Sequence, residues 1–156
     1  MADRIDAQTR SRIMSRIRGR DTGIEMRLKG ALRRIGLKGY RLQYGRHRID
    51  IAFVGRKVAV FADGCFWHGC PAHSAMPRTN VGYWSAKLVR NVERDRRTDM
   101  ALVESGWTVL RFWEHDIVGA ADLAAEIVRG RFLDFVGGSK AKREKEQNGN
   151  QSAGVG

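Results

Sequence analysis

Residues 48–73 read RIDIAFVGRKVAVFADGCFWHGCPAH. Ile49, Ile51 and Phe53 alternate with Asp50 and Ala52, the two-residue period of a strand. Gly55-Arg56-Lys57 supplies a turn. Val58–Ala62 (VAVFA) is an unbroken apolar run, as expected of a strand covered on both faces. From its C-terminal end hangs DGCFWHGCPAH, which packs two thiols, two imidazoles, a carboxylate and two adjacent aromatic rings into one loop. Such a loop is too polar and too rich in metal ligands for ordinary core.

Outward from this hairpin the pattern alternates helix and strand. Upstream, Thr22-Gly23-Ile24-Glu25 has the form of a capping box. Ile24, Leu28, Leu32 and Ile35 follow at helical spacing, with Ala31 on the same face, and Gly36 sits where a C-terminal glycine belongs. Tyr40–Gln43 is a short strand candidate. Downstream, Trp84–Glu104 reads as a long charged helix stopped by Gly106. Leu88, Val92, Leu102 and Val103 are its apolar contacts. Lys87, Asn91, Asp95 and Asp99 recur every four residues as a polar stripe, whose simplest reading is a solvated face. Trp107–Trp113 is a strand rich in β-branched and aromatic residues, and a last helix is expected over Ala120–Phe135. The order predicts an α/β protein, a central sheet with helices against it.

The chain divides into a basic arm at 1–20, one domain at 21–136 and a tail at 137–156. The arm holds six arginines, Arg4, Arg10, Arg12, Arg16, Arg18 and Arg20, with Ile13, Met14 and Ile17 between them. It reads equally as a phosphate-tracking segment or as a solvated terminal helix. The tail has one large apolar residue, Val155, and no periodicity, so disorder is expected there. The 29 Lys and Arg against 17 Asp and Glu give a net charge of +12, which favours a polyanionic partner, most commonly nucleic acid. The basic residues are not stacked opposite one apolar helical face, and no apolar run reaches membrane-spanning length. No apolar signal-peptide core follows Met1. The expectation is a cytoplasmic protein without a membrane partner, in which Cys65 and Cys70 are metal ligands or free thiols.

Cys65-x4-Cys70-x2-His73 gives three ligands that a tight knuckle can close, and His115 lies just past a strand end. Two thiolates and two imidazoles would complete a tetrahedral, structural Zn²⁺ site; buried thiols with incidental histidines remain the alternative. Asp50, a charge mid-strand, is either exposed, paired or bound to an ion such as Mg²⁺. Glu25 is explained by its cap, and a helix start is also where a carboxylate serving a metal site would stand. His68 is free of the zinc reading and has the unperturbed pKa for taking a proton from water at neutral pH, with Asp95 or Asn91 to orient its ring. Phe66 and Trp67, in an extended segment, would point to opposite sides, a disposition suited to a wedge entering a base stack. Trp84 would join them.

FADGCFWHGCPAH, followed by RTNVGYWSAKLVRNVERDRR and GWTVLRFWEHDI, with TRSRIMSRIRGRDTGIEMRL before them, resembles the very short patch repair endonucleases over roughly residues 8–135. The resemblance implies the restriction-endonuclease-like fold of the PD-(D/E)xK superfamily, a mixed sheet flanked by helices with a zinc-held loop. It implies a Mg²⁺-dependent hydrolase that nicks one DNA strand 5′ of the thymine in a T·G mismatch, the product of 5-methylcytosine deamination. Asp50 would be the metal carboxylate, assisted by the backbone carbonyl of Ala62. His68 would be the general base supported by Asp95, and Glu25 would hold water on the metal. Phe66, Trp67 and Trp84, with Asn91 and Met14, would meet the DNA. Cys65, Cys70, His73 and His115 would hold structural zinc.

Two departures stand out. Ile49 rather than proline precedes Asp50, and Asp63 stands where the lysine of an E-x-K motif would be; as a second metal carboxylate it is the least secure member of the set. The partners implied are duplex DNA bearing the mismatch, mismatch-repair proteins and a downstream polymerase. A nucleoid-associated monomer would suffice for one asymmetric lesion. The rival readings are a nuclease of the same fold without mismatch preference and a zinc-stabilised DNA-binding module without catalysis.

Overall fold

In the computed structural model, residues 22–73 and 75–149 are described, with side chains as far as Asp134. The basic arm, including Met14, and residues 150–156 of the expected tail lie outside them. Helix α1 spans Gly23–Arg34, followed by strands β1 (Arg41–Tyr44), β2 (Ile49–Phe53) and β3 (Val58–Asp63). Helix α2 is Val81–Glu104, β4 is Thr108–Trp113 and α3 is Glu114–Gly149.

The sheet runs β1-β2-β3-β4. The first three strands form an antiparallel meander, and β4 lies parallel to β3 with Val58 opposite Thr108 and Asp63 opposite Trp113. A parallel neighbour needs a crossover; α2 and the ligand-rich loop before it supply that link. The most buried strand is β3, as its apolar run requires. On one face, Ile51, Phe53, Val58 and Val60 pack with Leu28 and Leu32 of α1 and with Ile117, Ala125 and Val128 of α3. On the other, Ala52, Ala59 and Phe61 pack with Leu102 of α2.

The local chemistry explains most element ends. Thr22 caps α1, its hydroxyl accepting from the Glu25 N–H at 3.4 Å, and Gly36 takes the left-handed φ of +75° that ends the helix. Lys57, at φ +49°, closes the turn after a short 3₁₀ segment at Val54–Arg56. Three boundaries differ from expectation. Helix α2 starts three residues early, at Val81. Helix α3 starts at Glu114, and a kink at Ala120 (φ −154°, ψ 57°) marks where the sequence suggested its beginning. It then continues to Gly149, because SKAKREKEQ is built of residues with high helix propensity.

Two side-chain expectations also need correction. Ile49 is buried with Ala52 and Phe61, not with Ile51 and Phe53, so strict alternation fails at Asp50. Asp50 lies one residue beyond Ile51↔Val60, the last recorded pair between β2 and β3. Val103 of α2 is 59% exposed and contributes little to the core. Among the described residues, no helix is long and apolar enough to cross a membrane.

Candidate active site

Where β2 and β3 part, the Asp50 carboxylate fills the gap between them. Its Oδ2 accepts from the Ala62 N–H at 3.0 Å and its Oδ1 from Gln43 Nε2 at 3.0 Å. Asp50 thus meets the amide of Ala62, whereas the sequence reading gives a role to the carbonyl of that residue. Burial pushes the Asp50 carboxyl from 3.8 up to about 6, opposed by the Ala62 hydrogen bond and assisted by the nearby charge of Glu25. Glu25, 7% exposed, receives a hydrogen bond from the Thr22 hydroxyl on Oε1 at 3.1 Å. The capping box thus aims its carboxylate inward at the helix start.

Glu25, Asp50, Asp63, His68 and Asp95 line one cleft of about 1000 Å³, and Arg27, Arg46, Arg48, Lys87 and Arg94 share its walls. An acidic floor attracts a divalent cation, and basic walls attract the phosphates that such a cation bridges. Asp50 fits a cation in particular: its partners are neutral donors, so no fixed positive charge competes for it.

The polar stripe of α2 is half-buried: Lys87, Asn91 and Asp95 meet this loop, and Asp99 meets β4. Asp95 Oδ2 meets His68 Nδ1 at 2.6 Å, which leaves the ring's Nε2 for chemistry. Burial lowers the His68 pKa, but the Asp95 hydrogen bond and the charges of Asp63 and Asp95 outweigh it and raise the net value. For Asp95, burial works upward, yet His68, Arg111 and Arg94 together hold the carboxyl below its usual range. Asn91 does not reach the ring; its Nδ2 donates to the Trp67 carbonyl at 2.9 Å, fixing the loop. Lys87 lies 5.3 Å from the centre of the Trp67 ring and 5.8 Å from that of Trp84, within cation–π range. Asp99 accepts from Arg111 Nε and Nη2 at 2.8–3.0 Å.

Arg111, in mid-β4, was not visible as a site residue in the sequence, although a charge between Leu110 and Phe112 carries the same signal that singled out Asp50. Its Nη1 donates to both oxygens of Asp63, at 3.0 and 2.9 Å. Asp63 is thereby engaged by a guanidinium, not held open for an ion. Burial raises its pKa, and Arg111 and His68 counter that rise only in part. Glu114 was also missed: its Oε2 accepts from the Cys65 N–H at 3.2 Å, tying the loop to the first turn of α3.

Cys65, Cys70, His73 and His115 bring one ligand atom each to within 4.8 Å of one another. Cys65 Sγ and His73 Nδ1 both lie 3.2 Å from His115 Nδ1, and Cys70 Sγ is 3.7 Å from His115 and 3.9 Å from His73. Metal–sulfur bonds of ~2.3 Å and metal–nitrogen bonds of ~2.0 Å place tetrahedral donors roughly 3.3–3.8 Å apart. The set therefore fits a tetrahedral metal, and both cysteines are free thiols. The loop coils to make this cluster: the Cys70 N–H donates to the Cys65 carbonyl at 3.0 Å. Gly69, at φ +69°, is required there, since a Cβ would also lie 3.3 Å from Val92 Cγ2.

Coiling overturns the expected splay of Phe66 and Trp67. The segment is a turn, and the two rings touch edge to face with centroids 5.0 Å apart. Trp84 completes a triangle, 5.4 Å from Phe66 and 5.9 Å from Trp67. All three are partly exposed and form one aromatic surface, with Trp67 also lining the cleft.

The sequence is similar to those of known DNA endonucleases. The Vsr family model, described as DNA mismatch endonuclease Vsr, matches residues 2–74. The DNA mismatch endonuclease Vsr of Escherichia coli (strain K12) is 36% identical over 96% of this chain and 97% of its own length. The type II nicking enzyme V.NmeDIP of Neisseria meningitidis serogroup C is 38% identical over 92% of this chain and 99% of its own. The type II nicking enzyme V.NaeI of Lentzea aerocolonigenes is 50% identical over 69% of this chain and 68% of its own. With its mixed sheet, flanking helices and ligand-rich loop, the chain belongs to the Vsr family of DNA endonucleases.

Proposed function

We propose that this endonuclease nicks one strand of duplex DNA on the 5′ side of the thymine in a T·G mismatch, using Mg²⁺. The observation that carries the reading is one cleft that joins a half-buried carboxylate, Asp50, to a carboxylate-oriented imidazole, His68, beside a partly exposed aromatic surface. The full-length similarity to a DNA mismatch endonuclease supports a mismatch as the target.

Asp50, with the Ala62 carbonyl, would hold the Mg²⁺, which when bound supplies positive charge for the phosphate and the leaving oxygen. Glu25 would order water beside it. His68 takes the proton of the attacking water on Nε2 while Asp95 fixes the ring through Nδ1. The water oxygen bonds to phosphorus as the bond to the 3′ oxygen breaks, and that oxygen takes a proton from solvent, giving a 5′-phosphate and a 3′-hydroxyl that a polymerase can extend. Phe66, Trp67 and Trp84 would press into the stack at the mismatch, where unstacking costs least. Asn91 holds the backbone beneath Trp67 during this insertion. Zn²⁺ on Cys65, Cys70, His73 and His115 would keep the loop coiled. A mismatch-repair protein would act as an accessory partner of a monomeric enzyme near the nucleoid.

The test is a nicking assay on labelled duplexes carrying T·G or T·A, with Mg²⁺ or EDTA, for the wild type and Asp50→Ala. The expected outcome is a Mg²⁺-dependent nick at T·G alone, lost in Asp50→Ala. Equal cutting of T·A removes the repair reading and leaves a general nuclease. Binding without any Mg²⁺-dependent nick removes the proposed cofactor and mechanism.

A further inference from the structure

Two carboxylates compete for one ring nitrogen in this site. His68 Nδ1 is 2.6 Å from Asp95 and 3.6 Å from Asp63. The Asp63 side chain is 6% exposed, and a buried carboxylate without a partner seeks the nearest polar group. Here that group is His68 Nδ1, so an unengaged Asp63 would compete with Asp95 for the same ring nitrogen and turn the ring from the position Asp95 gives it. Arg111 prevents this contest. Its Nη1 holds both oxygens of Asp63, while Nε and Nη2 are anchored on Asp99 of α2 and the side chain covers the Phe61 ring at 4.3 Å. The fork therefore has no freedom to release Asp63 without also leaving α2 and β3.

We propose that Arg111 is a positioning residue for proton transfer: by engaging Asp63 it leaves Asp95 as the one carboxylate that orients His68. This rests on the reading of His68 as the base. It also gives Asp63 a role that an E-x-K comparison does not supply, as one of two carboxylates, with Asp99, that share the Arg111 guanidinium.

The test is a double-mutant cycle on the full chain with Arg111→Met, Asp63→Asn and the double variant, read by single-turnover nicking of the T·G duplex and by the ¹H–¹⁵N signals of the His68 imidazole. Arg111→Met is expected to lower kcat by about tenfold or more, with KM changed less than about threefold, and to shift the His68 signals. Adding Asp63→Asn is expected to restore most of kcat and return the signals to their wild-type positions. A role in packing alone would leave the double variant no better than the single, and that outcome overturns the proposal. A double variant with no activity but wild-type His68 signals also overturns it, because Asp63 would then be needed in its own right. If Arg111→Met fails to fold, Arg111→Lys replaces it; a single ammonium cannot bridge Asp63 and Asp99, so a partial loss rescued by Asp63→Asn is expected. The imidazole signals report on the contest even if wild-type protein does not nick, so failure of the base assignment is distinguishable from failure of this one.

Discussion

The loop between β3 and α2 serves two sites built on opposite principles. In the Cys65–Cys70–His73–His115 cluster, four ligand atoms converge and each lies against others of the set. In the cleft, the acids are held apart, each by its own partner: Asp50 by Ala62 and Gln43, Glu25 by Thr22, Asp63 by Arg111 and Asp95 by His68. A converged set closes a coordination sphere and fixes the fold. A dispersed set keeps room for substrate and gives each group a separate electrostatic setting. On the proposed reading, the same short segment would carry stability in its cysteines and reactivity in His68.

Substitutions break this contrast in a graded order. The largest effect is expected from Asp50→Asn, which should lower nicking by about 10³-fold or more while leaving the fold intact. Stability should move the other way. The Asp50 pKa is raised from 3.8 to about 6, so the folded protein binds that proton more tightly than the unfolded chain. Its contribution is fully present below 3.8 and is lost as pH rises through about 6. At neutral pH, without Mg²⁺, Asp50→Asn should stabilise the protein by on the order of 1–2 kcal/mol, with the advantage shrinking towards pH 4. Thermal melts across that range check this; a variant less stable than wild type at neutral pH would count against a buried, metal-free carboxylate.

Cys70→Ser tests the converged site. Loss of one ligand should release the metal and cost on the order of 3 kcal/mol or more, with nicking lost through disorder of the loop. Metal analysis of purified protein provides the direct check: absence of stoichiometric zinc from the wild type would remove the zinc assignment. Asp95→Asn should come next, lowering kcat by about 10- to 100-fold with little change in DNA binding. An effect on KM alone would show that the stripe serves binding. Trp67→Ala should be smallest, weakening binding to T·G duplex by about tenfold and to T·A duplex less, as measured by titration under identical salt. Equal losses on both duplexes would argue against a wedge.

What could be read in advance depended on the range of the interactions. The capping box at Thr22, the helical spacing of Leu28 and Leu32 and the glycine stop at Gly36 are local, and each was legible in order along the chain. The apolar run of β3 announced its own burial. The stripe Lys87, Asn91, Asp95 and Asp99 was equally visible, but spacing specifies a face and not what that face meets. Its apposition to His68 and Arg111 is set by the parallel crossover that lays α2 over the sheet. Phe66 and Trp67 differ from expectation for a related reason: their orientation follows from the turn that the Cys70 N–H closes on the Cys65 carbonyl. Ile49 failed because alternation assumes an uninterrupted ladder, and here a side chain replaces the strand partner.

That replacement makes one amide a sensor. The Ala62 N–H donates to a carboxylate that is also the proposed cation ligand. Protonating Asp50, or drawing its charge towards an ion, weakens the same hydrogen bond from the other end. Solvent exchange at that single backbone site is therefore expected to quicken when Asp50 is protonated or holds a cation, so that one amide would gauge what the cleft contains.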